Sequence, residues 1–108
     1  MADMVNTPQP PYYVAIFSST HTGHHEGYDE DTQTILNLAQ QQPGFLGVEA
    51  AGGDDLSIAV TYWDSDETIR AFKALAEHLV IQEKGREKYY RNYKVRIAKV
   101  ERDYGFER

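Results

Sequence analysis

Histidines are the residues of this chain whose type and spacing are most suggestive of chemistry. Three of the four, His21, His24 and His25, fall within the segment STHTGHHEGYDED at 19–31. Imidazole binds metal ions and moves protons near neutral pH. The spacing H-x2-H-H is not the i, i+4 pair with which a helix binds zinc, and glycines interrupt the segment. We therefore predict no metal site, and we interpret these residues as a solvated loop or a lid over a substrate.

The fourth histidine, His78, lies in a different setting. It flanks Leu75 and Leu79 at the margin of an apolar helical pattern. A histidine there is either a satisfied boundary residue or a general base facing a cavity, and the sequence leaves both readings open. Of the histidines, His78 is our first choice as a base.

Composition and charge exclude several classes of function. The 108 residues carry 11 basic and 17 acidic side chains, a formal charge of -6, which disfavours nucleic acid and anionic membranes as partners. The chain has no cysteine, which excludes disulfides and thiolate chemistry. No apolar run is long enough to span a bilayer, and the N-terminus lacks signal-peptide features. We therefore expect a cytoplasmic protein.

The elements that must position these residues follow the order β-α-β-β-α-β. Strands are predicted at 12–19, 44–51, 56–63 and 92–104, with a turn at 52–55 that makes a hairpin of the middle two. One helix is predicted at 32–42 after Asp29 and Asp31, which supply the N-cap and first-turn acid. A second follows a capping box of Asp64 and Glu67 and continues to about Tyr89, with a break or bend at Gly85.

This order predicts a ferredoxin-like α+β domain at 12–108, preceded by a flexible or clamped tail at 1–11. Its four-stranded antiparallel sheet carries both helices on one face. The strands are apolar on both faces. In the first strand, Val14 and Ile16 point to one face and Phe17 to the other; in the third strand, Ile58 and Trp63 point to different faces. Two helices cover only one face, so we predict a homodimer formed through the other.

Three motifs carry a resemblance to a known family. PGFLGVE at 43–49, TYWDSDETIRAFK at 61–73 and HLVIQEKGREKYY at 78–90 together resemble the antibiotic biosynthesis monooxygenase superfamily of dimeric α+β barrels. The resemblance implies a cofactor-independent monooxygenase acting on an aromatic, polyketide-like or quinol-like small molecule. The alternatives are a non-catalytic binding or structural dimer of the same fold and, more weakly, a haem-binding or haem-degrading protein.

The haem-degrading branch of the superfamily has an Asn–Trp–His constellation, which is missing here. Strand one contains no asparagine, and the nominal tryptophan and histidine positions are occupied by Phe72 and Gln82. Haem degradation is therefore disfavoured, unless His78 serves in a shifted register.

The resemblance also implies a pocket between the helices and the sheet. We predict His78 and Trp63 as catalytic residues, no cofactor, and these substrate-binding residues: Tyr13, Phe17, Tyr62, Phe72, Arg86, Tyr89 and Tyr90. Trp63 is alternatively a core or interface residue. The basic, tyrosine-containing run at 84–99 is interpreted as a solvated helix end rather than a site for single-stranded nucleic acid.

Overall fold

A computed structural model describes residues 4–23, 26–53, 55–77 and 89–108. The strands are β1 (Tyr12–His21), β2 (Phe45–Gly52), β3 (Leu56–Trp63) and β4 (Tyr90–Val100), and the helices are α1 (Tyr28–Gln40) and α2 (Asp66–Glu77). All neighbouring strands are antiparallel, in the order β2-β3-β1-β4. The ferredoxin-like fold and the β2–β3 hairpin predicted from the sequence are confirmed.

Several element boundaries differ from the prediction, most clearly at α1. This helix begins at Tyr28, four residues early, and its N-cap is Gly27 in the left-handed conformation (φ 79°). Asp29 and Asp31 both lie in the first turn, where a carboxylate favours the positive end of the helix dipole. The prediction of an aspartate N-cap was wrong because glycine reaches positive φ without strain and ends the preceding turn.

The N-cap of α2 is Ser65 rather than the predicted Asp64. The Ser65 Oγ accepts the backbone N–H of Thr68 at 3.2 Å, and the Thr68 hydroxyl donates to the Ser65 carbonyl at 2.8 Å. In this turn the Asp64 carboxylate accepts a hydrogen bond from the Thr68 hydroxyl, at 3.2 Å, and not from a backbone N–H of the helix. The side-chain cap of α2 is therefore one residue later than predicted, and it comes from a serine instead of an aspartate.

Ser65→Ala is expected to lower the free energy of unfolding by about 1 kcal/mol, because the Thr68 N–H loses its acceptor. Urea unfolding followed by circular dichroism measures the change. Asp64→Ala is the matched control and is expected to have the smaller effect. A larger loss for Asp64→Ala would mean that the cap is Asp64, as the sequence suggested.

The hydrophobic core lies between the helices and one sheet face, here called the helix face. Trp63 is completely buried, with Ile69 of α2 and Ala39 of α1 packed beside it. The Trp63 ring meets Phe45 edge-on at 5.2 Å and Phe72 at 5.3 Å between centroids. Its Nε1 donates to the Thr61 hydroxyl at 2.9 Å, so the one polar atom of the side chain is satisfied.

The opposite side, here called the open face, carries neither of the two helices in the described part of the chain. By strand register it presents these side chains of β1 and β3: Tyr12, Val14, Ile16, Ser18, Thr20, Leu56, Ile58, Val60 and Tyr62. At one end the chain before β1 lies against it, since the Val5 N–H donates to Glu49 at 2.9 Å. A Cβ added to Gly47 would meet Val5 at 2.7 Å, so glycine allows this approach. At the other end Leu56 and Ile58 are exposed.

Candidate functional site

A cluster of aromatic rings fills the helix face at the end of β1. The aromatic cluster consists of Phe17, His21, Tyr28, Tyr89, Tyr90 and Tyr93. β1 supplies two of the rings, α1 supplies Tyr28, and the start of β4 with the residue before it supplies the others. Because β1 and β4 are neighbours, with His21 opposite Tyr90, residues distant in sequence meet here.

His21 contacts two rings of this cluster. Its ring meets the edges of Tyr28 at 5.2 Å and Tyr90 at 5.4 Å. The His21 Nε2 is buried and has no hydrogen-bond partner among the residues that the structure describes. Leaving a buried polar atom unpaired costs about 1–3 kcal/mol. An imidazole nitrogen kept in this state, surrounded by aromatic rings, is suited to exchange a proton with an aromatic ligand.

Tyr89 is fixed by a carboxylate on the neighbouring helix. Its hydroxyl donates to the Asp31 Oδ2 at 2.5 Å and lies 3.4 Å from the Glu26 carbonyl oxygen. The backbone of Tyr89 is held as well, since its carbonyl accepts the Thr22 N–H at 2.9 Å. Hydrogen bonding to Asp31, followed by burial, raises the pKa of Tyr89 to about 12.

Tyr90 is a second tyrosine beside His21, with ring centroids 5.4 Å apart. Burial, and then hydrogen bonding to Tyr28, raise the pKa of Tyr90 well above its usual range. The Tyr90 hydroxyl therefore keeps its proton throughout the physiological pH range. A phenol that stays neutral beside an unpaired imidazole can donate a hydrogen bond to an anion formed when that imidazole takes up a proton.

Asp31→Asn is expected to lower the pKa of Tyr89 from about 12 toward its ordinary value of 10.0, because the neutral amide no longer opposes ionisation of the phenol. The stabilisation linked to this raised pKa is complete below pH 10.0 and is lost as the pH rises toward 12. NMR titration of ring-labelled tyrosines measures each pKa.

Tyr62 is the internal control in the same spectrum. Burial, and then its hydrogen bond to Glu49, raise the pKa of Tyr62 to about 12, and Glu49 lies on the open face. Its titration is expected to be unchanged in Asp31→Asn. A Tyr89 resonance that titrates as in the parent protein would show that Asp31 does not control this phenol.

The structure divides the predicted site residues among three places. Phe17, Tyr89 and Tyr90 join His21 in the aromatic cluster. Tyr13, Trp63 and Phe72 belong to the core, and Tyr62 lies on the open face beside Tyr12, with ring centroids 6.2 Å apart. His24, His25, His78 and Arg86 lie outside the described residues. Trp63 has no exposed surface, so its position favours packing over the predicted catalytic role.

Three residues of the site were missed from the sequence. Tyr28 was assigned to the loop, although it is the first residue of α1 and points into the cluster. Asp31 was interpreted only as helix-terminal charge, whereas its carboxylate holds Tyr89. Tyr93 was placed in a strand without a role and stacks on Phe17 at 5.2 Å. Period-two alternation from Phe17 could have placed His21 on the same face.

The described residues contain neither a group of three or more metal-ligating side chains nor a helix long and apolar enough to cross a membrane.

The amino-acid sequence matches one family model and one bacterial protein over most of the chain. The family model described as antibiotic biosynthesis monooxygenase matches residues 11–84. The uncharacterized protein YqjZ of Bacillus subtilis (strain 168) is 46% identical over 97 residues, which cover 89% of this chain and 85% of that protein.

Solved structures show the same fold at low sequence identity. SnoaB from Streptomyces nogalater, described as a cofactor-independent oxygenase, superposes with a TM-score of 0.74 at 12% identity, covering 87% of this chain and 97% of SnoaB. Pseudomonas aeruginosa PA3566 gives a TM-score of 0.66 at 18% identity, covering 91% of this chain and 100% of PA3566. At these identities the similarity establishes the fold alone.

Proposed function

The chain belongs to the antibiotic biosynthesis monooxygenase family, and we propose that it is a cofactor-independent monooxygenase whose substrate binds at the aromatic cluster. The substrate class is an aromatic, polyketide-like or quinol-like small molecule. The observation that carries this proposal is the buried, unpaired Nε2 of His21 between the rings of Tyr28 and Tyr90, within the described part of the chain. SnoaB, which shares the fold, is a cofactor-independent oxygenase.

His21 acts as the general base in this proposal. Its Nε2 takes the proton of a phenol, an enol or a carbon acid, and the Tyr90 hydroxyl donates to the oxyanion that forms. The anion transfers an electron to O2, and the substrate radical and superoxide combine into a peroxide anion. This anion takes the proton back from the His21 imidazolium and becomes a hydroperoxide. Loss of water from the hydroperoxide leaves one oxygen atom in the product, so the substrate supplies all the electrons.

Access to Nε2 requires one neighbouring ring to move, because the atom is buried. Tyr28 is the ring best placed to move, since it begins α1 directly after Gly27. The proposal retains the prediction that the segment around His24 and His25 is a lid. Closure of this lid over a substrate would exclude water from the reactive anion. The roles predicted for His78 and Arg86 also remain proposals: a second base and a cation that binds the substrate.

Oxygen uptake with a panel of anthrones, dihydroxynaphthalenes and quinols tests the proposed function. The purified protein is expected to consume O2 with at least one member of the panel without added flavin, metal or haem. The same uptake is expected in metal-free buffer that contains a chelator, which is the control for contaminating metal ions. No uptake across the panel would overturn the proposal and favour a non-catalytic binding protein of the same fold.

We also propose that the active form is a homodimer joined through the open face. Leu56 and Ile58 are exposed there, and the half-buried Ile16 extends the apolar surface along β1, whereas Val14 is buried within the chain itself. Light scattering after size-exclusion chromatography at micromolar concentration is expected to give twice the chain mass of 12.3 kDa. The mass of a single chain would contradict the dimer and leave the oxygen-uptake test unaffected.

A further inference from the structure

Two tyrosine rings pack against the His21 imidazole within the described part of the chain, those of Tyr28 and Tyr90. Tyr90 belongs to β4 and pairs with His21 in the sheet, so strand pairing fixes its backbone. Tyr28 is half-buried and is attached to the first turn of α1, outside the sheet. The Tyr28 ring is therefore the one whose movement would expose the buried Nε2 of His21.

The Tyr28 ring also packs against a third tyrosine, Tyr89. The two ring centroids are 5.2 Å apart and the rings meet edge to face, at an interplanar angle of 80°. Tyr89 is buried, and its backbone carbonyl accepts the Thr22 N–H at 2.9 Å. Edge-to-face contacts favour one relative placement of two rings. The position of Tyr89 therefore helps to set the position of Tyr28.

The Tyr89 hydroxyl is bonded to the same helical turn that carries Tyr28. It donates to the Asp31 Oδ2 at 2.5 Å, and the backbone N–H of Asp31 donates to the Gly27 carbonyl at 3.0 Å. A Cβ added to Gly27 would lie 3.2 Å from the Tyr89 hydroxyl oxygen, so glycine gives the phenol room at this turn. Asp31 thus joins Tyr89 directly to the start of α1.

The role of Asp31 is distinct from that of the other acids in this turn. Asp29, Glu30 and Asp31 all place negative charge at the positive end of the helix dipole. Asp31 in addition accepts the Tyr89 phenol, whereas the neighbouring Asp29 is exposed. The same bond, followed by burial, raises the pKa of Tyr89 to about 12, so the phenol keeps the proton that it donates throughout the physiological pH range.

We propose that Asp31 is a positioning residue that controls access to His21 through Tyr89 and Tyr28. While the bond between Asp31 and Tyr89 is formed, the Tyr28 ring stays against the imidazole and keeps water from Nε2. When the bond breaks, Tyr89 and Tyr28 move apart and a ligand reaches Nε2. The identity of that ligand rests on the proposed function, whereas the control of access does not.

This arrangement has two opposite consequences for a substrate. A site that is mostly closed binds its ligand more weakly, in proportion to the fraction of molecules that are open. Loss of the Asp31–Tyr89 bond raises that fraction and is expected to tighten binding. The same loss leaves the reactive anion in contact with water and is expected to slow the reaction.

Carbethoxylation with diethyl pyrocarbonate, followed by peptide mass spectrometry, measures access to His21 without a substrate. Asp31→Ala and Tyr89→Phe are each expected to raise the rate of modification at His21 by about tenfold, because each removes one end of the bond. The double variant is expected to react no faster than either single variant, since both substitutions remove the same interaction. Asp29→Ala is the matched control, because it removes an acid from the same turn, and it is expected to react at the parent rate.

Two results would contradict the inference. One is the parent rate of modification at His21 in both Asp31→Ala and Tyr89→Phe. The other is an equal increase in Asp29→Ala, which would show that the charge of the turn, and not the bond, controls access. Thermal unfolding is measured for each variant, and Tyr89→Phe, which keeps the packed ring, decides the question if Asp31→Ala does not fold.

Oxygen uptake separates this positioning role from a merely structural one. Asp31→Ala is expected to lower KM and kcat together, each by about fivefold or more, because substrate enters more easily and water reaches the anion. A raised KM in the folded variant would contradict the inference, since loosened packing alone weakens binding. If the parent protein oxidises no substrate, the proposed reaction fails, and the modification rates still decide whether Asp31 controls access to His21.

Discussion

Replacing His21 by alanine is expected to lower kcat for oxygen uptake by about 100-fold or more, the usual contribution of a general base. The physical reason is that the variant has no acceptor for the substrate proton between Tyr28 and Tyr90. The measurement is initial oxygen consumption at saturating substrate. A base acts on the transition state, so kcat is expected to fall much more than KM changes.

A second substitution separates a base from a packing residue. His21→Gln is expected to lower kcat as His21→Ala does, because glutamine keeps much of the shape of the side chain and does not accept a proton. Gln40→Ala, an exposed substitution on α1, is expected to leave kcat unchanged.

His78→Ala distinguishes the two candidate bases. If the sequence-based choice is correct, His78→Ala loses oxygen uptake and His21→Gln keeps it. Retention of full activity by His21→Gln, with normal thermal unfolding, would therefore remove His21 from the mechanism. Loss of activity in both variants would indicate that the two imidazoles act in the same reaction.

The fold could be predicted because its determinants are local. β3 matches its predicted span at Leu56–Trp63, where alternation and the flanking turns leave little freedom. The same local rules predicted the wrong N-cap residues for both helices, because an N-cap depends on the backbone conformation of a single residue. Gly27 and Ser65 took the capping positions assigned to neighbouring aspartates. The open face was predictable from the apolar residues on both sides of β1 and β3.

The site was less predictable because it depends on strand register and tertiary contacts. The sequence predicted His21 as a loop or lid residue, and only the β1–β4 pairing brings it opposite Tyr90. The bulge between Thr20 and His21 shifts this register, and no sequence pattern specifies it. Similarly, the bond between Asp31 and Tyr89 joins residues 58 positions apart. Trp63 was predicted as a catalytic residue with a core position as the alternative, and the residue type alone did not show that the side chain is completely buried.

Trp63→Ala is expected to lower the free energy of unfolding by about 3–5 kcal/mol, the largest stability effect of any single substitution considered. The side chain is completely buried and packs against Phe45 and Phe72, so truncation leaves a cavity that both helices and sheet border. A small domain has about 5–15 kcal/mol of stability in total, so this loss is a large fraction of it. Urea unfolding followed by far-UV circular dichroism is the measurement, because Trp63 is the only tryptophan and fluorescence is lost with it.

Trp63→Phe then decides between packing and catalysis. Phenylalanine keeps most of the apolar volume but removes the Nε1 bond to Thr61, so a loss of about 1 kcal/mol is expected beyond the reduced packing. If Trp63 acts only in the core, the folded variant oxidises substrate within a few-fold of the parent rate. If the indole contacts substrate, as predicted from the sequence, kcat falls sharply although the variant remains folded. The buried indole and its hydrogen-bonded nitrogen favour the first result. In that case the chemistry on the helix face would depend on His21 and the neighbouring tyrosines of the aromatic cluster.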